Sequence, residues 1–230
     1  MAEGTGGGFN FQQFIEDSKN VLIAPKDYFA SMAKEGGFVE PIIKALIYGA
    51  IGGLLGFLWN ALGLNMFGVA SFSIKPIIVG LIAGIIGLFL GGLIMLVISA
   101  ICSGSTDFEA NVRVNAAFMV IYPIMSLFGF LNRISWMLSI IVTVAISLYF
   151  LYILYHAIVQ ALGGKEPSAK VVSIVLSVFP ILLLLSSLLC GGAAKFGGDV
   201  LKQQNKSQVE AMKRLEMMQK KIQEAAEKNQ

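Results

Sequence analysis

The chain alternates long apolar runs with short polar breaks, and the lengths of the runs decide its class. A helix that crosses a hydrocarbon core of about 30 Å needs about 20 apolar residues at 1.5 Å rise each. Five runs meet that requirement, at residues 42–64, 76–102, 112–131, 134–162 and 169–190. Lipid-facing strands would alternate with period two, so the runs predict helices. The breaks are short and rich in Gly, Ser, Asn and Pro, which makes consecutive spans antiparallel neighbours. Pro123 and Pro180 fall inside the third and fifth spans, and each predicts a kink.

Glycines punctuate the first two spans at a spacing of four. Gly49 with Gly53, Gly52 with Gly56, Gly80 with Gly84 and Gly87 with Gly91 each place two small residues one turn apart. That spacing lets helix backbones approach closely, and its concentration on successive spans predicts a packed first-second hairpin.

The flanks have a different periodicity. Before the first span, Phe11, Phe14, Ile15 and Leu22 recur at helical spacing with acids and lysine on the other face. Pro25 can open a second short helix carrying Tyr28, Phe29 and Met32, which Gly36 and Gly37 end. With its aromatics this segment is expected to lie in the membrane interface, or to pack on a partner or on the loops. Beyond the last span, Ala211, Leu215, Met218, Ile222 and Ala225 follow steps of four and three, which is a short heptad seam. It suits either a weak coiled coil with another copy or a partner, or a free-standing helix. The expectation is therefore an all-α polytopic membrane protein. Its parts are an amphipathic interfacial segment (1–40), a five-helix transmembrane bundle (41–190), and a Gly linker with a charged C-terminal helix (191–230).

Composition agrees with this class: 56% of the 230 residues are hydrophobic, 13% are charged, and the mean hydropathy is +0.76. A net charge of +3 without a clustered basic element gives nucleic acid nothing to bind, whereas anionic lipid headgroups are a natural counterpart. No apolar stretch with a small-residue cleavage site occurs in the first forty residues, so no removed leader is expected. Lysine and arginine set the orientation. With the amino terminus inside, Lys19, Lys26, Lys34, Lys44, Arg113, Lys165 and Lys170 lie on the inner side, against Lys75 and Arg133 outside. That bias favours a cytoplasmic amino terminus, although Lys195, Lys202 and Lys206 then fall outside with the tail.

Candidate chemistry is sparse. Cys102 and Cys190 end spans that exit on opposite sides, which excludes a disulfide between them, and no metal-ligand or redox motif occurs. No cofactor is expected. The single histidine, His156, shares a helix face with Tyr149, Tyr152 and Gln160. Near it, at the same membrane side, Arg113 and Asn115 begin the third span, and Arg113 can pair with Glu109 at i to i+4 spacing. Tyr149 lies about 21 Å from Gly163 along a helix, deeper than an aromatic belt explains, so the stripe is expected to be buried against spans three and five. Arg113, Asn115, Tyr149, Tyr152, His156 and Gln160 are thus either structural polar packing or the lining of a cleft for lipid headgroups, ions or protons. No nucleophile or paired deep carboxylates accompany the histidine, so no reaction is proposed for it.

Three stretches resemble a known family. "NVLIAPKDYFASMAKEGGFVEPIIKAL" is similar to the entry segment of the Ypt-interacting protein (Yip) domain family. "DFEANVRVNAAFMVIYPIMSLFGFL", with Tyr122-Pro123, is similar to its third span. "LYFLYILYHAIVQALGGKEPSAKVVSIVLSVFP" resembles its fourth and fifth. The resemblance covers residues 11–190. It implies a five-span membrane protein with a cytosolic amino terminus and no known enzymatic reaction. In eukaryotes the family sits in endoplasmic reticulum and Golgi membranes, contacts Rab-type GTPases and supports vesicle traffic. The compact form resembles the bacterial or archaeal branch, in a cytoplasmic membrane. The functional expectation is a non-enzymatic scaffold or membrane-organising, trafficking-type factor. It would bind membrane lipids and a protein partner, or a second copy through the C-terminal helix. The rival expectation is a small transporter or lipid-handling protein with a polar cleft between spans three and four.

Overall fold

Five helices long and apolar enough to cross a membrane organise the molecule in a computed structural model that describes residues 9–64 and 70–186. The helical bundle belongs to one compact unit that ends at Leu184. Two short helices, α1 (Phe11–Ile23) and α2 (Pro25–Ser31), precede the spans. The first two spans are α3 (Val39–Ala61) and α4 (Lys75–Ile101). The third span, Phe108–Ile134, consists of α5 (Phe108–Phe118), α6 (Ile121–Leu127), a 3-10 turn and α7 (Leu131–Ile134). The fourth is α8 (Trp136–His156) extended by one π-helical turn, Ala157–Ala161, and the fifth is α9 (Glu166–Ser186). Among the described residues there is no strand.

Local chemistry sets the ends of these elements. Asn10 caps α1 by accepting from the backbone N–H groups of Gln12 and Gln13, Asp107 caps α5 through Ala110, and Ser135 caps α8 through Leu138. Pro25 opens α2 as its first residue, where a missing N–H costs nothing. The third span breaks at Met119 and Val120. Pro123 has no N–H for the Met119 carbonyl four residues back, and its ring crowds that carbonyl. The second expected kink is not a break: α9 continues through Pro180.

The first two spans pack where the glycines are. A Cβ on Gly53 would lie 2.7 Å from Ile77 Cα and one on Gly84 would lie 2.7 Å from the Ala45 carbonyl, while Gly49 and Gly80 face each other backbone to backbone. Ala45 opposite Gly84, Gly49 opposite Gly80 and Gly53 opposite Ile77 define an antiparallel pair, the most extensive helix contact among the described residues. Gly87 and Gly91 do not join this interface. A Cβ at Gly87 meets open space, and one at Gly91 would meet the Asn115 side chain on α5 at 2.5 Å. The third span lies along the first: the Tyr122 ring fills the notch at Gly52, and the Trp59 indole N–H donates to the Ser126 carbonyl at 2.8 Å.

The core lies between α2, α5 and α8. Phe29 stacks on Phe118 with ring centroids 5.9 Å apart, and Phe118 meets Phe150 edge-on at 6.2 Å. The turns α4–α5 and α8–α9 are tied together at one end, where Ser105 N–H donates to the Leu162 carbonyl and Lys165 N–H to the Cys102 carbonyl. Cys102 is buried there as a free thiol. α9 is peripheral: only 11% of its apolar window is buried, against 33% for α3, so it offers its flank to lipid. Cys190 and the seam Ala211, Leu215, Met218 and Ile222 lie outside the described residues.

Candidate functional site

The charged residues near one end of the bundle form a single network across three elements. Lys44, on the second turn of α3, places its ammonium 2.8 Å from Asp17 on α1 and 2.8 Å from Glu40 one turn earlier. The other Glu40 oxygen lies 2.5 Å from the Arg113 guanidinium on α5. The two cations are the buried members, with side chains 8% and 7% exposed, whereas Glu40 is 42% exposed. A buried cation is tolerated only with partners, and here each cation has them.

Arg113 also closes the turn before α3. Its Nε donates to the Ala33 carbonyl and one terminal nitrogen to the Gly37 carbonyl, both at 2.9 Å. Gly36 and Gly37 have φ of +129° and +79°, so this turn needs residues without a Cβ. A side chain at Gly36 would also press on the guanidinium at 3.3 Å. The expected Arg113–Glu109 pair is not formed. Glu109 accepts from the Gly37 N–H at 2.6 Å instead, so both residues bind the same turn rather than each other.

α1 is held by more than charge. The hydroxyls of Ser18 and Tyr48 share a hydrogen bond of 2.7 Å, and the Phe14 and Tyr48 rings lie 5.1 Å apart. Tyr48 is nine residues into α3, about 14 Å from its start, so α1 docks well down the side of the bundle. Its outer face leaves Phe11, Ile15 and Ile23 exposed, which suits a helix seated in the interfacial layer.

Beneath α1 and α2 lies a cavity of about 480 Å³, with Asp17, Asp27, Tyr28, Glu40, Lys44 and Arg113 in its walls. Burial pushes the Tyr28 phenol up to about 12. Lys44 pulls it down, while Asp17, Tyr48 and Glu40 push it further up.

Of the six residues expected to line one cleft, Tyr149, Tyr152, His156 and Gln160 follow one another along the fourth span, whereas Arg113 and Asn115 pack elsewhere. Arg113 belongs to the ion-pair network with Glu40. Asn115 donates to the Gly87 and Leu88 carbonyls on α4, at 3.0 and 2.9 Å, and so joins α5 to α4. Tyr149 donates its hydroxyl to the Leu22 carbonyl at the end of α1. The tyrosine stripe is not buried between spans three and five: Tyr149 is 42% and Tyr152 51% exposed. Tyr149 stacks on Tyr152, and His156 meets Tyr152 and Tyr155 edge-on at 4.7 and 5.1 Å. Gln160 sits in the adjoining π-helical turn. The depth of Tyr149, which had suggested an interior stripe, is instead the depth of the α1 terminus.

Asp17, Glu40 and Lys44 were therefore the site residues that sequence reasoning left apart. The i to i+4 spacing of Glu40 and Lys44 at a span entry, and Asp17 on the polar face of an amphipathic helix, were the available signals. Among the described residues, no group of three or more His, Cys, Asp or Glu side chains could hold a metal ion. Comparison with known proteins adds one finding: residues 19–189 match the family described as Yip1 domain. No curated protein and no solved structure matches the chain.

Proposed function

Since the chain belongs to the Yip1 domain family of membrane proteins, we propose that it is a non-enzymatic scaffold presenting a fixed polar face at one membrane surface to a protein partner. The observation that carries this reading is the Asp17–Lys44–Glu40–Arg113 network. It fastens α1 and the α2–α3 turn to spans one and three, so the amphipathic segment is part of the bundle. A surface fixed in this way loses little conformational freedom on binding, which favours recognition. The exposed Lys19 and Lys26 on this segment are the first candidates for partner contact.

In this reading the amino terminus faces the cytoplasm of a bacterium or archaeon, in keeping with the lysine and arginine bias of the loops. The seam at Ala211, Leu215, Met218 and Ile222 provides a second contact, with a partner or another copy.

Affinity purification of the full chain from native membranes in mild detergent, with mass spectrometry of the bound proteins, tests the proposal. A stoichiometric partner set that is depleted by Lys19→Glu with Lys26→Glu supports it. A partner-free protein, or a set indifferent to both substitutions, sinks it. Deleting residues 199–230 isolates the contribution of the seam, which is refuted if recovery is unchanged.

A further inference from the structure

The interruption of the third span leaves a space that no described side chain fills. Between α4 and the junction of α5 with α6 lies a cavity of about 300 Å³, with Ala83, Gly87, Asn115, Phe118, Met119 and Tyr122 in its walls. Two features of the chain make it. α5 ends at Phe118 and α6 begins at Ile121, so the third span is not a continuous helix at Met119 and Val120. Opposite this interruption α4 presents Ala83 and Gly87, and a Cβ added at Gly87 would meet no atom within 4 Å. Gly87 is small without being packed, unlike Gly80 and Gly84.

Position decides what can enter. Gly87 stands 12 residues after Lys75 and 14 before Ile101, the two ends of α4. At about 1.5 Å per residue it is about 18 and 21 Å from those ends, in the interior of a hydrocarbon core about 30 Å thick. Ala83 is exposed, and its neighbours Ile82 and Ile86 are 54% and 59% exposed, so the cavity opens on the lipid-facing flank of α4.

Water is a poor filling for it. The volume is that of about ten waters, and the walls offer them at most the Asn115 Oδ1 and the Tyr122 hydroxyl. The Asn115 amide nitrogen is already engaged, donating to the Gly87 and Leu88 carbonyls. An empty space is no better, because the walls of a void forfeit their dispersion contacts. Apolar cavities of about 150 Å³ stay dry and take up benzene, and this one is about twice that size.

We propose that this cavity binds one acyl chain of a bilayer lipid, which enters from the flank and lies between the second and third spans. Its methylenes meet Ala83 and Gly87 on one side and Phe118 and Met119 on the other. No charged residue lines the cavity, so the lipid is held by its chain and not by its headgroup. The site goes beyond the scaffold reading and does not depend on it.

The test is photolabelling of the full chain in nanodiscs, with a phosphatidylcholine that carries a diazirine near the end of one acyl chain. Label is expected to concentrate on Phe118, Met119 and Tyr122, above the level on Ile174 and Phe179, which are exposed on α9. Gly87→Leu puts a side chain into the cavity and should lower its label to the α9 level while the α9 label is unchanged. Ala83→Leu intrudes from the same wall and should act in the same direction, so the test does not rest on the folding of one variant. Label spread evenly over the cavity walls and α9 in the unaltered chain, or cavity label undiminished in a folded variant, would overturn the proposal. A dimer seen by native mass spectrometry and lost in Gly87→Leu would give the cavity to a second copy and overturn it as well.

Discussion

The hydroxyl of Tyr149, twelve residues before the end of the fourth span, donates to the carbonyl of Leu22 in the last turn of α1. Carbonyls in the last turn of a helix have no intrahelical partner. The tyrosine therefore supplies a bond that the α1 terminus lacks. Tyr149→Phe should destabilise the protein by about 1 kcal/mol, the usual worth of such a bond in a membrane protein. Thermal unfolding in nanodiscs measures it, and amide exchange should quicken in the last turn of α1 while the α3–α4 interface is unaffected. Unchanged exchange at Ile23 and Ala24 would show that the bond does not hold α1.

Lys44 is the residue whose loss should matter most to docking of α1. Lys44→Met leaves Asp17 without its cation and Glu40 with Arg113 alone. Removing one partner of a buried pair typically costs about 3–5 kcal/mol, and the partial exposure of Glu40 and Asp17 places this case near the lower end. Adding Asp17→Asn to Lys44→Met should recover part of the loss, since it removes the stranded carboxylate. A double variant no more stable than Lys44→Met, measured by unfolding temperature, would deny the Asp17–Lys44 coupling.

These relationships mark the limit of what the sequence discloses. The five spans were legible because length and apolar composition are local properties, and α2 because Pro25 and helical spacing are local too. The docking of α1 was not, since Lys44 meets Asp17 across 27 residues and Arg113 meets Glu40 across 73. The local rule misdirected at Arg113: Glu109 stands one turn away, but the Gly37 backbone offers both residues better partners than each other. Backbone carbonyls such as those of Ala33 and Leu22 carry no sequence signal at all. The tyrosine stripe was misread for the same reason, because its depth is explained by a backbone acceptor on another helix.

The glycines yield a contrast within one pattern. Gly80→Val would force a Cβ into the Gly49 carbonyl and against the Gly53 backbone, so α3 and α4 must separate. Overpacking of this kind costs about 1–3 kcal/mol, and the backbone contact puts it at the upper end. Gly87→Ala enters open space in the interior of α4 and should leave stability within about 0.5 kcal/mol or slightly improved. Unfolding temperatures of the two variants, compared side by side, decide the matter. Equal losses at both positions would refute the division of the glycines into packed and unpacked sets.

Tyr28 gives the network a signature at alkaline pH. The folded chain holds its phenol up to about 12, from an ordinary value of 10.0, chiefly because burial opposes the phenolate. Between these values the unfolded chain has lost the proton and the folded chain keeps it. Stability from this group is therefore complete below pH 10.0 and is lost as pH rises through about 12. The difference in alkaline absorbance titration between the full chain and Tyr28→Phe should show one tyrosine ionising near 12, and Tyr28→Phe should lose less stability than the unaltered protein across that interval. A difference titration centred at 10 would mean that Tyr28 is solvated, and with it the cavity wall that α2 provides.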